Sequence, residues 1–270
     1  MAVVFCNNNI EKVMYSGYTI DKIYACGGEL VYSGSTPPTP TENWKAKALS
    51  QDSVLGDLYG YKDCDSLSAI TSAETSSWTA QIPDSQGRTT FTRKRINALW
   101  IGDCTVSIGI GAFSGATGLQ YVSNSGANVK AIGSSAFTNS TSLSSYTFGC
   151  KVETIGQGAF SGCTSLQTLE FCYSNCNLKS IESGAFKDCK SLRTVRLPNT
   201  IQSIGYSVFA NCSNLTRLYM TATTPPTLPT NSYTFSGVDP NFDIIVPQGS
   251  LNAYKTASGW SEYADIIYTT

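Results

Sequence analysis

Apolar and polar positions in the middle of this chain recur as a block. The block reads Ser107-Ile-Gly-Ile-Gly-Ala-Phe113, Ala131-Ile-Gly-Ser-Ser-Ala-Phe137, Thr154-Ile-Gly-Gln-Gly-Ala-Phe160, Ser180-Ile-Glu-Ser-Gly-Ala-Phe186 and Ser203-Ile-Gly-Tyr-Ser-Val-Phe209. The phenylalanines lie 24, 23, 26 and 23 residues apart, and each is followed by a leucine: Leu119, Leu143, Leu166, Leu192 and Leu215. In the clearest copy, Leu192, Val195 and Leu197 mark a short strand. Strand side chains alternate, so Val195 and Leu197 point inward while Thr194 and Arg196 point outward. A fixed period of this length predicts a β-rich solenoid, in which each unit buries its apolar face against its neighbours. The Gly-x-x-Ala-Phe portion is too short for a regular helix and predicts a 3-10 or irregular segment on the convex side. The expectation is one short strand per repeat.

The flanks depart from this period. Residues 1–36 read as short strands around the turn dipeptides Ser16-Gly17 and Gly27-Gly28, a small β-hairpin arm. Its candidate anchoring residues are Val13, Tyr15, Ile20, Ile23, Tyr24, Leu30 and Tyr32. Residues 37–56 are a spacer stiffened by Pro37, Pro38 and Pro40, with a short helix over Asn43–Leu49. The solenoid is expected over 57–222, degraded at its start around Tyr61, Cys64 and Ile70. Residues 71–95 form an insertion with an added strand pair around Thr89–Lys94. Residues 223–270 close the array as an atypical cap, with a short helix begun by Ser250.

Composition narrows the chemistry. Charged residues make up 14% of the chain, against about 25% in a typical soluble domain, and the formal net charge is -1. Neither nucleic acid nor an anionic membrane has an electrostatic argument here, and no apolar run is long enough to insert into a bilayer. The chain contains no histidine, which removes the commonest general base and metal ligand. No catalytic motif, cofactor or metal is expected. Cys163, Cys189 and Cys212 each follow the repeat phenylalanine by three residues, where sister repeats place Ala116 and Ser140. A slot that accepts Cys, Ser or Ala wants a small packed side chain, so these are read as buried free thiols. Cys172 and Cys176 are too close and too isolated for a zinc motif.

The repeat aligns the outward strand positions into two columns. One runs Trp100, Ser123, Thr147, Glu170, Arg196, Tyr219; the other Ala98, Tyr121, Ser145, Thr168, Thr194, Arg217. Trp100, Tyr121, Glu170, Arg196, Arg217 and Tyr219 are the candidate ligand-binding residues, because Trp, Tyr and Arg dominate binding hot spots.

The iterated unit, Ile-Gly-x-x-Ala-Phe-x-x-Cys-x-x-Leu-x-x-Val-x-Leu-Pro, resembles the BspA-like leucine-rich repeats. The ending Val246-Pro-Gln-Gly-Ser-Leu251 through Tyr254 and Trp260 is similar to that family's terminal cap. The resemblance covers about residues 57–270. It implies a non-enzymatic adhesion module that binds a protein or glycan on a host cell surface. The N-terminal block is similar to leaders on structural proteins of Bacteroides-infecting, crAss-like phages. That likeness implies a virion location, with residues 1–36 docking onto other virion proteins or onto copies of themselves. The first residues have neither a basic segment nor a long apolar one. They fit a virion protein assembled in a bacterial cytoplasm better than an exported adhesin, which is the alternative along with an intracellular interaction scaffold.

Overall fold

The computed structural model describes residues 96–101, 105–124, 128–172 and 175–269 in full, save the side chain of Trp100, and before residue 96 the backbone of strands only. The repeats stack as the turns of a parallel β-solenoid with little helix. The predicted strands form one ladder: Ile96–Ile101, Tyr121–Ser123, Ser145–Thr147 and Thr168–Glu170, all parallel. A second group of four continues the stack: Thr194–Leu197, Arg217–Met220, Asp243–Val246 and Ile267–Thr269. Thr168–Glu170 and Thr194–Leu197 are neighbours but are not paired, so the strand face is built from two slabs.

Each turn also contains a strand beyond the one expected. Thr105–Ile108, Ala131–Ile132, Thr154–Ile155, Ser180–Ile181 and Ser203–Ile204 form a second parallel sheet, continuous across the break in the first. Two residues carry no readable alternation, which is why the period alone points to only one strand. Ile108, Ile132, Ile155, Ile181 and Ile204 of this sheet face the core, opposite Leu119, Leu143, Leu166, Leu192 and Leu215, and all are buried.

The repeat phenylalanines form the spine of that core. Phe113, Phe137, Phe160, Phe186 and Phe209 stack in sequence at ring-centroid distances of 5.3, 5.2, 5.2 and 5.7 Å. Phe235 joins 6.0 Å beyond Phe209, a sixth rung whose Tyr-Thr-Phe spelling disguises it. Backbone amides tie each rung to the next: Phe137 N–H donates to Ala159 O and Phe160 N–H to Ala185 O, both at 2.7 Å. To hold this pattern the chain turns left-handed two residues before and two after every phenylalanine. Around Phe160 these positions are Gly158 (φ +59°) and Gly162 (φ +74°); elsewhere the later position holds Gly115 or Gly237, or Asn139, Asp188 or Asn211, residues that tolerate this region. Gly156 has a different reason. A Cβ there would lie 2.7 Å from Ser134 N and 2.8 Å from Ile132 O of the preceding turn. Glu182 breaks this glycine rule, and its carboxylate accepts a bond from Gln157 N–H at 2.9 Å.

The small-residue slot three after phenylalanine is a hydrogen-bonding ladder. Ser140 Oγ donates to Phe113 O at 3.0 Å, and the thiols of Cys163, Cys189 and Cys212 donate to Phe137 O, Phe160 O and Phe186 O at 3.1, 3.2 and 3.2 Å. All three thiols are free and buried, as expected. Burial pushes Cys163 and Cys212 up from an ordinary value of 9.0 to about 12, and Cys189 well upward. Raised folded pKa values mean that the unfolded chain loses these protons first. Stability is therefore fully present below pH 9 and falls between pH 9 and 12, by about 1.4 kcal/mol for each of Cys163 and Cys212 at pH 10. Chemical denaturation at pH 8 and pH 10 checks this. Replacing all three cysteines with alanine should remove that part of the slope.

The N-terminal side needs two corrections. Asn43–Leu49 is not helical: Trp44–Asp52 is a nine-residue strand, antiparallel to Gly56–Asp63 on one side and to Ile96–Ile101 on the other. Its Lys-Ala-Lys-Ala run has helical propensity, but it also alternates with period two, and sheet pairing overrides propensity. Gly56–Asp63 is thus the outer strand of a hairpin, not a degraded repeat. Parallel stacking begins with Ser68–Ile70. Within the insertion the added pair is Trp78–Thr79 with Thr90–Phe91, wider than the expected Thr89–Lys94. In the arm, Met14–Tyr15 pairs with Tyr18–Thr19, and Lys22–Tyr24 with Leu30–Tyr32, around the expected turns. Val13, Ile20 and Cys64 lie outside the described residues, as do the side chains of Tyr15, Ile23, Tyr24, Leu30 and Tyr32.

The cap closes the core. Helix Leu251–Thr256 begins after Ser250, which makes no side-chain capping bond. Tyr254 and Trp260 are fully buried and meet edge to face at 5.1 Å. Tyr254 Oη donates to Ala222 O at 2.8 Å and Trp260 Nε1 to Pro226 O at 2.7 Å, so both bulky rings satisfy their polar ends on the last turn.

Candidate functional site: the strand face

The two predicted columns exist in register. Ala98, Tyr121, Ser145 and Thr168 are successive partners, as are Trp100, Ser123, Thr147 and Glu170. After the break, Thr194 pairs with Arg217 and Arg196 with Tyr219. Inward and outward positions alternate as expected in Thr194–Leu197 and Arg217–Met220. The columns open to solvent unevenly. Ala98 and Ser123 are buried and Tyr121 is half-buried, whereas Thr168, Glu170, Thr194, Arg196 and Arg217 are exposed. The side chain of Trp100 lies outside the described residues. Thr147 Oγ1 donates to Glu170 Oε2 at 2.8 Å across neighbouring strands.

The first column runs further than the repeat period indicates. Tyr219 pairs with Ile245, and Ile245 with Tyr268; Arg217 pairs with Asp243. Tyr219 and Ile245 are half-buried and Tyr268 is 48% exposed. The signal for this extension is the alternation in Asp243-Ile-Ile-Val246, obscured because the cap abandons the Ile-Gly block. The face therefore changes along its length, from small hydroxyl side chains at Ser145 and Thr168 to arginine and tyrosine beyond the break.

A lateral cleft of about 540 Å³ lies between 177–179, 199–202 and 221–227. Its hydroxyls serve the fold: Thr200, Thr221 and Thr227 donate to Leu178 O, Leu197 O and Gln202 O. Its cation, Lys179, pairs with Glu153 at 3.0 Å and holds that carboxyl below the usual range. Among the described residues no group of three or more Cys, Asp or Glu side chains is placed to hold a metal ion, and no helix is long and apolar enough to cross a membrane.

The sequence reading left Cys172 unassigned; it is bonded to Cys150, with Cα atoms 5.1 Å apart, while Cys176 is free and buried. The bond joins adjacent turns, 22 residues apart in sequence. A loop of that length is constrained by about 3 kcal/mol in the unfolded chain. Replacing Cys150 and Cys172 with serine should lower stability by about that amount. Alkylation with mass mapping under non-reducing conditions should leave those two cysteines unlabelled while Cys163, Cys176, Cys189 and Cys212 label only on unfolding.

Stacked turns whose strands pair in parallel, a phenylalanine spine and a leucine–valine–leucine ladder define a leucine-rich repeat solenoid. The family model for the BspA type leucine rich repeat region matches in six copies, over residues 84–216 and 174–252. The chain belongs to that family. It is also similar to a leucine-rich repeat protein from Bacteroides ovatus, at 24% identity over 56% of this chain and 44% of that one, with a TM-score of 0.41. A leucine-rich repeat protein of T. pallidum matches at 22% identity over 65% of this chain and 90% of that one, TM-score 0.47. The pneumococcal vaccine antigen PcpA matches at 21% identity over 49% of this chain and 31% of that one, TM-score 0.42. The aligned region thus spans less than half of the Bacteroides ovatus and pneumococcal chains. No curated protein matches the sequence.

Proposed function

We propose that this chain is a non-enzymatic binding and adhesion module that presents its strand face to a partner on a cell surface. One observation carries the reading: exposed Arg196 and Arg217 stand in register with Tyr219 and Thr194 on a rigid ladder, and their guanidinium groups take no part in the hydrogen bonds that build the fold among the described residues. Residues of these types on a flat, preorganised surface are what a binding face requires. The absence of histidine and the buried, protonated thiols support a role without catalysis. The Cys150–Cys172 bond supports work in oxidising surroundings, outside a reducing cytoplasm.

The module is carried on a phage particle, with residues 1–36 docking it to virion proteins and the repeats facing outward. The two small hairpins in that arm support this, since hairpins of two and three residues per strand bury too little to be stable alone and offer edges to a partner sheet. Deleting residues 1–36 should leave the melting temperature within about 2 °C and abolish incorporation into the parent particle. Full incorporation of the truncated chain would remove the docking role. Recovery of the intact protein from a bacterial surface, and not from particles, would favour the cell-surface adhesin instead.

A further inference from the structure

The strand face is chemically polarised. The outward strand positions of the second slab carry two cations, Arg196 and Arg217, and one carboxylate, Asp243, whereas the strand positions before the break carry Glu170 and no cation among the described side chains. Arg193, Arg196 and Arg217 are exposed, and their guanidinium groups make no ion pair or hydrogen bond among the described residues. Asp243 is the cross-strand neighbour of Arg217 yet forms no ion pair with it. Arg196 heads the row Tyr219, Ile245, Tyr268, one residue per strand, and Arg217 stands in the neighbouring column.

Resting on the strand-face reading above, we propose that the slab from Thr194 to Tyr268 binds an anionic polysaccharide. Arg196 and Arg217 take its carboxylate or sulfate groups, and Tyr219 and Tyr268 pack against its sugar rings. Two unpaired planar guanidinium forks match the oxygens of those acid groups better than any neutral ligand. The spacing separates a polysaccharide from an acidic peptide. Successive strands lie about 4.8 Å apart, close to the advance of one pyranose unit in an extended chain. An extended peptide returns a side chain to the same face only every second residue, about 6.7 Å. Within the slab, Arg217–Met220 and Asp243–Val246 are paired on both sides, so their backbone is closed to an added strand; only the edges, Thr194–Leu197 and Ile267–Thr269, are paired on one side alone.

The test is titration of the intact protein with four polymers at two salt concentrations. They are polygalacturonate, which carries carboxylates, dextran sulfate, neutral dextran and poly-L-glutamate. The expected result is binding to polygalacturonate, dextran sulfate or both at least tenfold tighter than to dextran or poly-L-glutamate, weakening as salt rises. Binding of only one of the two acidic sugars identifies carboxylate or sulfate as the source. Arg196→Ala with Arg217→Ala should weaken the acidic sugars at least tenfold. Tyr219→Ala with Tyr268→Ala should weaken them while leaving the salt dependence intact. All four positions face solvent wholly or in part, so the melting temperatures should hold. Equal binding of poly-L-glutamate, or no binding to either acidic sugar, overturns the polysaccharide assignment but leaves the strand face as a binding surface for another partner. Tight acidic-sugar binding that survives both double variants overturns the assignment to this face.

Discussion

Replacing Cys189 with arginine should destabilise the protein by at least about 4 kcal/mol. Cys189 is fully buried at the centre of the small-residue ladder, with its thiol against Phe160 O and the Cys163 and Cys212 rungs on either side. Arginine would bring a long side chain and a permanent charge into a slot with no acidic partner, and an unpaired buried charge is among the few changes that cost this much. Two controls isolate the cause. Cys189→Ser should be nearly neutral, because Ser140 makes the same bond one period earlier. Cys189→Ala should cost about 1 kcal/mol for the lost thiol bond and packing, since Phe160 O keeps the Cys163 N–H at 3.1 Å and Ala116 already fits the equivalent slot. Denaturant titration of the three variants gives the order; a melting temperature for Cys189→Arg within a few degrees of the parent would refute the ladder as a closed core.

Gly259→Val should cost about 3 kcal/mol or more and should act on the cap first. Gly259 sits at φ +77°, and a Cβ there would lie 2.0 Å from Leu228 O and 2.7 Å from Leu228 C. A β-branched residue meets both the left-handed penalty and a backbone wall that cannot rotate away. The next residue is Trp260, whose indole N–H is bonded to Pro226 O and whose ring seals the last turn. Shifting it opens the C-terminal end of a stack in which each turn depends on its neighbours. Hydrogen exchange should therefore show loss of protection in Asp243–Val246 and Ile267–Thr269 ahead of Thr154–Ile155. Uniform loss across all turns would show that the cap is not a separate unit.

The strand columns were legible residue by residue because the solenoid converts a fixed sequence period into spatial register. Arg196 lies beside Tyr219, and Thr194 beside Arg217, because the two pairs occupy equal places in successive repeats. What escaped notice lay where the period is silent or misleading. The Ser-Ile strands are two residues long and have no alternation to read. Trp44–Asp52 is written in helix-forming residues but is held by pairing on both edges. Cys150 and Cys172 stand outside the small-residue slot, although a separation close to one period already places two cysteines on adjacent turns. Ile245 and Tyr268 extend the face from a cap that shares the solenoid's geometry but not its spelling.

The unpaired junction between Thr168–Glu170 and Thr194–Leu197 has a mechanical meaning. Tension along the stack falls on the hydrogen bonds between turns. Across the other turns from Thr105 up to Arg217–Met220 two sheets share it; at this junction the strand-face ladder contributes nothing, and the Thr154–Ile155 to Ser180–Ile181 pairing, the turn bonds and the Phe160–Phe186 stack carry the load. One turn earlier, the Cys150–Cys172 bond fastens neighbouring turns covalently. Extension under force therefore begins between Glu170 and Arg196, and the arginine-bearing slab swings out together with its cap as one stiff plate.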